Sequence, residues 1–160
     1  VMYNSFSTAQ DDALKTTFAN LAAAAVDELV VDLRYNRGGA ISTAQLLAGL
    51  IAGEHANKIF GKLIYNEKLS ANNADVDITK SNINLGLSRV FFLTTQNSAS
   101  ASEMTINGLK PYLNVVQIGD KTEGKDVGSN PFYDYIDNNR TINPNHKYLL
   151  LPITFKNYKC

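Results

Sequence analysis

Three serines alternating with alanines, Ser98-Ala99-Ser100-Ala101-Ser102-Glu103, stand between an apolar run and a helix-forming segment. Val90-Phe91-Phe92-Leu93-Thr94-Thr95 before them reads as a buried strand, and Met104-Thr105-Ile106-Asn107-Gly108-Leu109 after them continues as a helix. A serine at such a strand-to-helix turn holds its hydroxyl clear of the backbone. The helix start behind it supplies unpaired N–H groups and positive dipole character. That is the layout an acyl-transfer nucleophile needs. Lys125 follows Ser100 by 25 positions, in a Gly-Asp-Lys-Thr-Glu-Gly-Lys loop, and offers an amine to take the serine's proton. The pair predicts a serine peptidase with a Ser–Lys dyad.

A second segment carries the argument further. Glu28-Leu29-Val30-Val31-Asp32-Leu33-Arg34-Tyr35-Asn36-Arg37-Gly38-Gly39 is an apolar strand ending in a glycine pair. With the serine run, Ile118-Gly119 and Gly124-Lys125, it resembles the C-terminal processing peptidases, or tail-specific proteases. That family's strand ends in Asp-Leu-Arg-x-Asn-x-Gly-Gly, and its later elements are Ser-Ala-Ser-Ala-Ser-Glu and Thr-x-Gly-Lys. The resemblance runs from about residue 3 to about residue 155. It implies that Ser100 is the nucleophile and Lys125 the general base. It also implies an oxyanion hole from the Ala101 N–H and the Gly38-Gly39 turn, with Gly39 preferred over Gly38. Many members carry a glutamine four residues past the lysine, where this chain has Ser129. A hydroxyl can still accept a hydrogen bond from an amine, so Ser129 is a candidate to orient Lys125.

The resemblance implies more about the whole. The fold is a ClpP/crotonase-like spiral of β-β-α units, and residues 1–160 form one tail-specific protease catalytic domain. Substrates are unstructured protein segments or C-terminal tails, and no cofactor is required. The location is extracytoplasmic, in the bacterial periplasm or cell envelope. Val1 begins inside an apparent strand, so the chain reads as a piece of a longer protein. In this family a PDZ module and a secretion signal are expected upstream.

At 160 residues the chain is sized for one domain that buries roughly two thirds of its unfolded surface. Its 15 basic residues balance 15 acidic ones, which argues against nucleic acid or an anionic membrane as the main partner. No apolar run approaches the roughly 20 residues of a membrane span. Cys160, the one cysteine, cannot form an internal disulfide or a multi-cysteine metal site. Asp75-Val76-Asp77 is too sparse for calcium, and no metal site is expected. Nothing in the residues fixes the oligomeric state.

Strand and helix patterns alternate, which predicts an α/β fold. Val1 to Asn4 opens as a strand, and Ser7-Thr8-Ala9-Gln10 fits a capping box for a helix reaching about Val26. Leu29 to Leu33 reads as a strand covered on both faces. Ser42-Thr43 opens a second helix with Leu46, Leu47, Leu50 and Ile51 inward. Lys58 to Tyr65 is a strand, 66–87 is undetermined, and Val115 to Ile118 is a short buried strand. Phe132 to Ile136 and Lys147 to Phe155 look like a late β-pair.

Several residues that look chemical have plainer readings. Ser98 stabilises the turn, and Ser102 faces the other side of the helix. Asp32 and Arg34 form a structural pair at the strand end, and Glu103 supports the helix start. His55 and His146 belong to no acid–serine arrangement. Tyr35 and Arg37 flank the glycines, where a place on a substrate cleft and plain solvent exposure fit equally well. Lys125 can act as a base only if desolvation lowers its pKa from about 10.4. Two rival functions share the architecture. One is a non-catalytic peptide-binding scaffold, which the Ser129 departure keeps open. The other is a crotonase-type acyl-CoA enzyme, which has no need of a Ser–Lys pair.

Overall fold

The computed structural model describes residues 1–146 and 148–158, so Lys147, Lys159 and Cys160 lie outside the described residues. The helices are α1 (Asp11–Ala23), α2 (Ile41–Ile51) and α3 (Ala101–Leu109). The strands are β1 (Val30–Asp32), β2 (Ile59–Tyr65), β3 (Ala74–Asp77), β4 (Arg89–Thr94), β5 (Asn114–Gly119), β6 (Val127–Ser129) and β7 (Ile153–Tyr158). Together they make a mixed α/β fold with two sheets. A parallel sheet runs β1-β4-β5, and an antiparallel sheet runs β3-β2-β7-β6.

The parallel sheet follows from its apolar runs. Val31 and Phe92 are level in the β1–β4 register, and both are fully buried. Phe6, Phe18, Leu33, Leu47, Leu50, Ile51, Phe60, Ile106 and Leu109 complete one continuous core. Helix α3 reaches the second sheet because residue 108 is a glycine. A Cβ there would run into the Phe60 ring and carbonyl. This contact fixes the serine turn at the start of α3 relative to β2.

Four expectations change. Ser7 makes no capping bond. Its carbonyl is used in a short 3-10 turn (Gln10 N–H to Ser7 O, 2.9 Å), so α1 begins at Asp11, and it ends at Ala23. Val1 to Asn4 is no strand of its own; Met2 makes a single parallel bridge to Asp32. Val30 and Ile118 are exposed: in β1 Val31 alone is fully buried, and β5, at the sheet edge, is half-buried at Val115 and Val116 and exposed from Gln117 onward. The late β-pair reduces to isolated bridges, Phe132 to Leu150 and Tyr135 to Ile142. Pro152, which has no N–H for a ladder, separates Leu150 from the true strand β7. β7 then pairs with β2 and with β6, a strand the sequence pattern did not indicate. The expected start of that pair at Lys147 lies outside the described residues.

Candidate active site

Each of the three parallel strands feeds one loop of the candidate site from its C-terminal end. β1 leads into the glycine turn, β4 into the serine turn, and β5 into the Lys125 loop. In open parallel sheets this is the edge at which ligands bind.

Ser100 is the N-cap of α3, with φ 56° and ψ −114°. A non-glycine residue in this region stores about 1–3 kcal/mol of strain, so its surroundings must hold it there. They do so through its neighbours. The Ser98 hydroxyl donates to the Leu33 carbonyl (2.7 Å) and accepts from the Thr95 N–H (3.1 Å). The Ser102 hydroxyl donates to the Asn36 carbonyl (2.9 Å). Both of these serines are fully buried and spend their hydroxyls on the fold. Ser100, half-buried, is the serine of the run that lines the cleft.

The glycine turn closes directly on the serine turn. Gly38 has φ +97°, and a Cβ there would sit 2.8 Å from the Ala101 nitrogen, the Ala99 carbonyl oxygen and the Ser100 Cβ. Only glycine allows that approach. Asn36, fully buried, fixes the turn's orientation. Its amide donates to the Tyr3 carbonyl (2.8 Å), and its side-chain oxygen accepts the Gly38 N–H (2.9 Å). Its backbone carbonyl takes the Ala99 N–H (3.1 Å) as well as the Ser102 hydroxyl. The Gly38 N–H is therefore committed. Among the described residues the Gly39 and Ala101 N–H groups have no hydrogen-bond partner.

The Lys125 loop docks on the serine segment through backbone donors. Glu123 N–H goes to the Ser98 carbonyl (3.0 Å). Gly124 N–H goes to Glu103 Oε1 (2.6 Å) and Lys125 N–H to Glu103 Oε2 (2.9 Å). The same Oε2 accepts the Ser100 N–H at 2.8 Å. On the outer side, Arg37 pairs with Glu123 (3.0 Å) and reaches Asn97 (3.3 Å), crossing all three loops. The desolvation expected of Lys125 is not supplied by these residues: Gly124, Lys125 and Asp126 are all exposed. The loop leaves an edge strand, and the space around Gly124 is open.

Ser100, Lys125, Ser129, Ala101, Gly38 and Gly39 all line one cleft of about 780 Å³. Tyr35 and Arg37 are on its wall, as are Leu63, Leu151 and Phe155 from the other side. A smaller cavity of about 150 Å³, walled by Phe60, Met104 and Gly108, opens between Ser100 and Lys125. Ser129 ends β6 opposite Ile153, and among the described residues no hydrogen bond joins it to Lys125.

Asp32 and Arg34 stay out of the cleft. The Arg34 guanidinium bonds both carboxylate oxygens of Asp32 (2.8–3.1 Å) and holds that carboxyl below the usual carboxylate range. His55 stacks on Tyr112, and His146 pairs with Asp134; neither lines the cleft. Among the described residues no cluster of three or more His, Cys, Asp or Glu side chains is placed to hold a metal ion. Sequence reasoning passed over Asn36. An asparagine just before a glycine turn is a known way to bond the backbone two residues on, and that was the available signal.

The model of peptidase family S41 matches residues 1–144. A crystal structure from Bacteroides fragilis NCTC 9343, described as a candidate S41 protease, is 35% identical with a TM-score of 0.84. The match covers 98% of this chain and 41% of that one. A photosystem II D1 C-terminal processing protease is 16% identical with a TM-score of 0.66, covering 99% and 36%. A lipoprotein from Streptococcus agalactiae is 17% identical with a TM-score of 0.61, covering 98% and 53%. At those identities the last two share the fold alone. The chain thus spans roughly a third to a half of the length of these structures. No curated protein matches it in sequence. No described helix is long and apolar enough to cross a membrane.

Proposed function

We propose, because this chain belongs to peptidase family S41, that it carries the working centre of a serine endopeptidase acting through a Ser100–Lys125 dyad. The observation that carries the reading is the convergence of three neighbouring strand ends on one cleft. They bring a strained serine, a glycine turn with a free N–H, and a lysine. Ser100 Oγ attacks the scissile carbonyl while neutral Lys125 accepts its proton. The Ala101 and Gly39 N–H groups receive the developing oxyanion, each contributing about 3 kcal/mol to the transition state. Gly39 is favoured over Gly38 because the Gly38 N–H already bonds Asn36. Lys125 then protonates the leaving amine and activates the water that clears the acyl-enzyme. Ser129 is the candidate to orient the amine.

Exposed as it is, Lys125 needs a further source of desolvation. A peptide filling the cleft supplies it by expelling water from around the amine. Substrates on this reading are unstructured or C-terminal protein segments, which can enter a cleft as extended chain. The family reading also carries the spiral arrangement of β-β-α units, a single catalytic domain over residues 1–160, no cofactor, and a place outside the cytoplasm, in the periplasm or envelope. A second reading, a peptide-binding scaffold without turnover, is favoured by the exposure of Lys125 and its missing bond to Ser129. Digestion of an unfolded polypeptide distinguishes them. The peptidase cleaves it and Ser100→Ala does not, whereas a scaffold binds it intact in both forms.

A further inference from the structure

Glu103 makes more bonds than a helix start requires. A capping glutamate needs only the N–H of its N-cap, here Ser100. Glu103, 8% exposed, also takes the N–H groups of Gly124 and Lys125, on a loop 21 and 22 residues away. We infer that Glu103 is a positioning residue that sets the backbone of Lys125 at a fixed distance from that of Ser100, so that one buried carboxylate holds the two halves of the dyad together. The inference rests on the dyad proposed above.

The chemistry suits the task. An ionised carboxylate only accepts hydrogen bonds, and its two oxygens have room for three N–H donors. Such charge-assisted bonds are roughly twice as strong as neutral ones. Oε2 is shared: Ser100 N–H lies 2.8 Å from it and Lys125 N–H 2.9 Å, so the two backbones are linked through one atom. Outside the Glu103 bonds the loop is held at its flanks, by the Glu123 N–H to the Ser98 carbonyl (3.0 Å) and the Asn157 N–H to the Asp126 carbonyl (2.7 Å). Gly124 to Asp126 are exposed, nothing lies within 4 Å of where a Gly124 Cβ would be, and Arg37–Glu123 is a surface pair open to salt screening. The strained backbone of Ser100 leans on the same carboxylate.

Glu103→Gln keeps the size of the side chain but replaces one acceptor oxygen with an N–H donor, leaving at least one of the three amides facing another donor. Two measurements on the intact protein test the inference. Hydrogen exchange reads the tether itself: the Gly124 and Lys125 amides lose protection in Glu103→Gln, while those in the middle of α3 keep theirs. Kinetics read the consequence: kcat falls about 100-fold, the scale of a misplacement of about 1 Å, with KM within threefold of wild type. Adding Glu103→Gln to Lys125→Ala then costs little more, because the base it positions is already gone. If Glu103→Gln fails to fold, Glu103→Asp makes the same test. It keeps the charge but falls a methylene short of the loop, and it releases the same two amides.

Unchanged protection at Gly124 and Lys125 overturns the inference. So does a kcat within threefold of wild type in Glu103→Gln while Lys125→Ala is inactive; in that case the dyad stands and only the positioning role falls. Full activity in Lys125→Ala overturns the dyad itself, and the inference with it.

Discussion

Replacing Asn36 with alanine should unsettle the glycine turn more than any single exposed substitution near the cleft. The side chain is fully buried and makes two hydrogen bonds, to the Tyr3 carbonyl and from the Gly38 N–H. Alanine removes both, and each backbone group left unpaired in the interior costs about 1–3 kcal/mol. Two such groups come to about 2–6 kcal/mol, and about 3 kcal/mol is a conservative value within that range. For a protein of this size that lowers Tm by about 6–12 °C. Urea unfolding followed by fluorescence or circular dichroism gives the number directly, as a lower midpoint at unchanged slope. Asn36→Asp refines the test. Its first oxygen keeps the Gly38 N–H, while the second, ionised, faces the Tyr3 carbonyl. The folded-state pKa of that carboxyl is then raised above the unfolded value, so stability is present at low pH and lost as pH rises through the folded pKa. A loss below about 0.5 kcal/mol in Asn36→Ala, the level of an ordinary surface change, would refute the reasoning.

Two further outcomes follow from the same structure. Ser129→Ala should lower kcat more than it raises KM, and by less than Lys125→Ala does, because an orienting group stands one step from the proton transfer; an unchanged kcat at equal stability would make the hydroxyl a bystander. Burial, with a smaller contribution from the charge of Asp11, pushes the Tyr3 phenol up to about 12 from 10.0. Its contribution to stability is therefore complete below about pH 10 and lost as pH rises toward 12. A Tyr3→Phe variant should lack that alkaline slope in Tm, and an identical slope would show that other groups cause it.

What the residues disclosed in advance was the part governed by local pattern. The apolar runs around Val31 and Phe92 announced the parallel strands, and the alternation of serine with alanine announced the turn into α3. The glycine pair marked the other wall. Tertiary geometry decided the rest. An asparagine two residues before Gly38 was a local sign of its bond to the Gly38 N–H, but nothing local shows its other bond, to the Tyr3 carbonyl 33 residues away. The bonds from Glu103 to Gly124 and Lys125 cross 21 and 22 residues and leave no periodic trace. Strand β6 is three residues long and is stabilised by β7, which comes later in the chain, so its own sequence could not announce it. The capping box at Ser7 looked right by spacing and lost to a 3-10 turn that used the same serine's carbonyl.

Labelling with a fluorophosphonate, followed by mass spectrometry of the digested protein, tests the central claim most directly. The reagent reports an activated serine without requiring the natural substrate. The account predicts one adduct, on Ser100, which is absent in Ser100→Ala. Labelling slows as severely in Lys125→Arg as in Lys125→Ala, because arginine keeps the charge but cannot give up its proton. An adduct on Ser98 or Ser102, no adduct at any pH, or wild-type labelling in Lys125→Arg would contradict it.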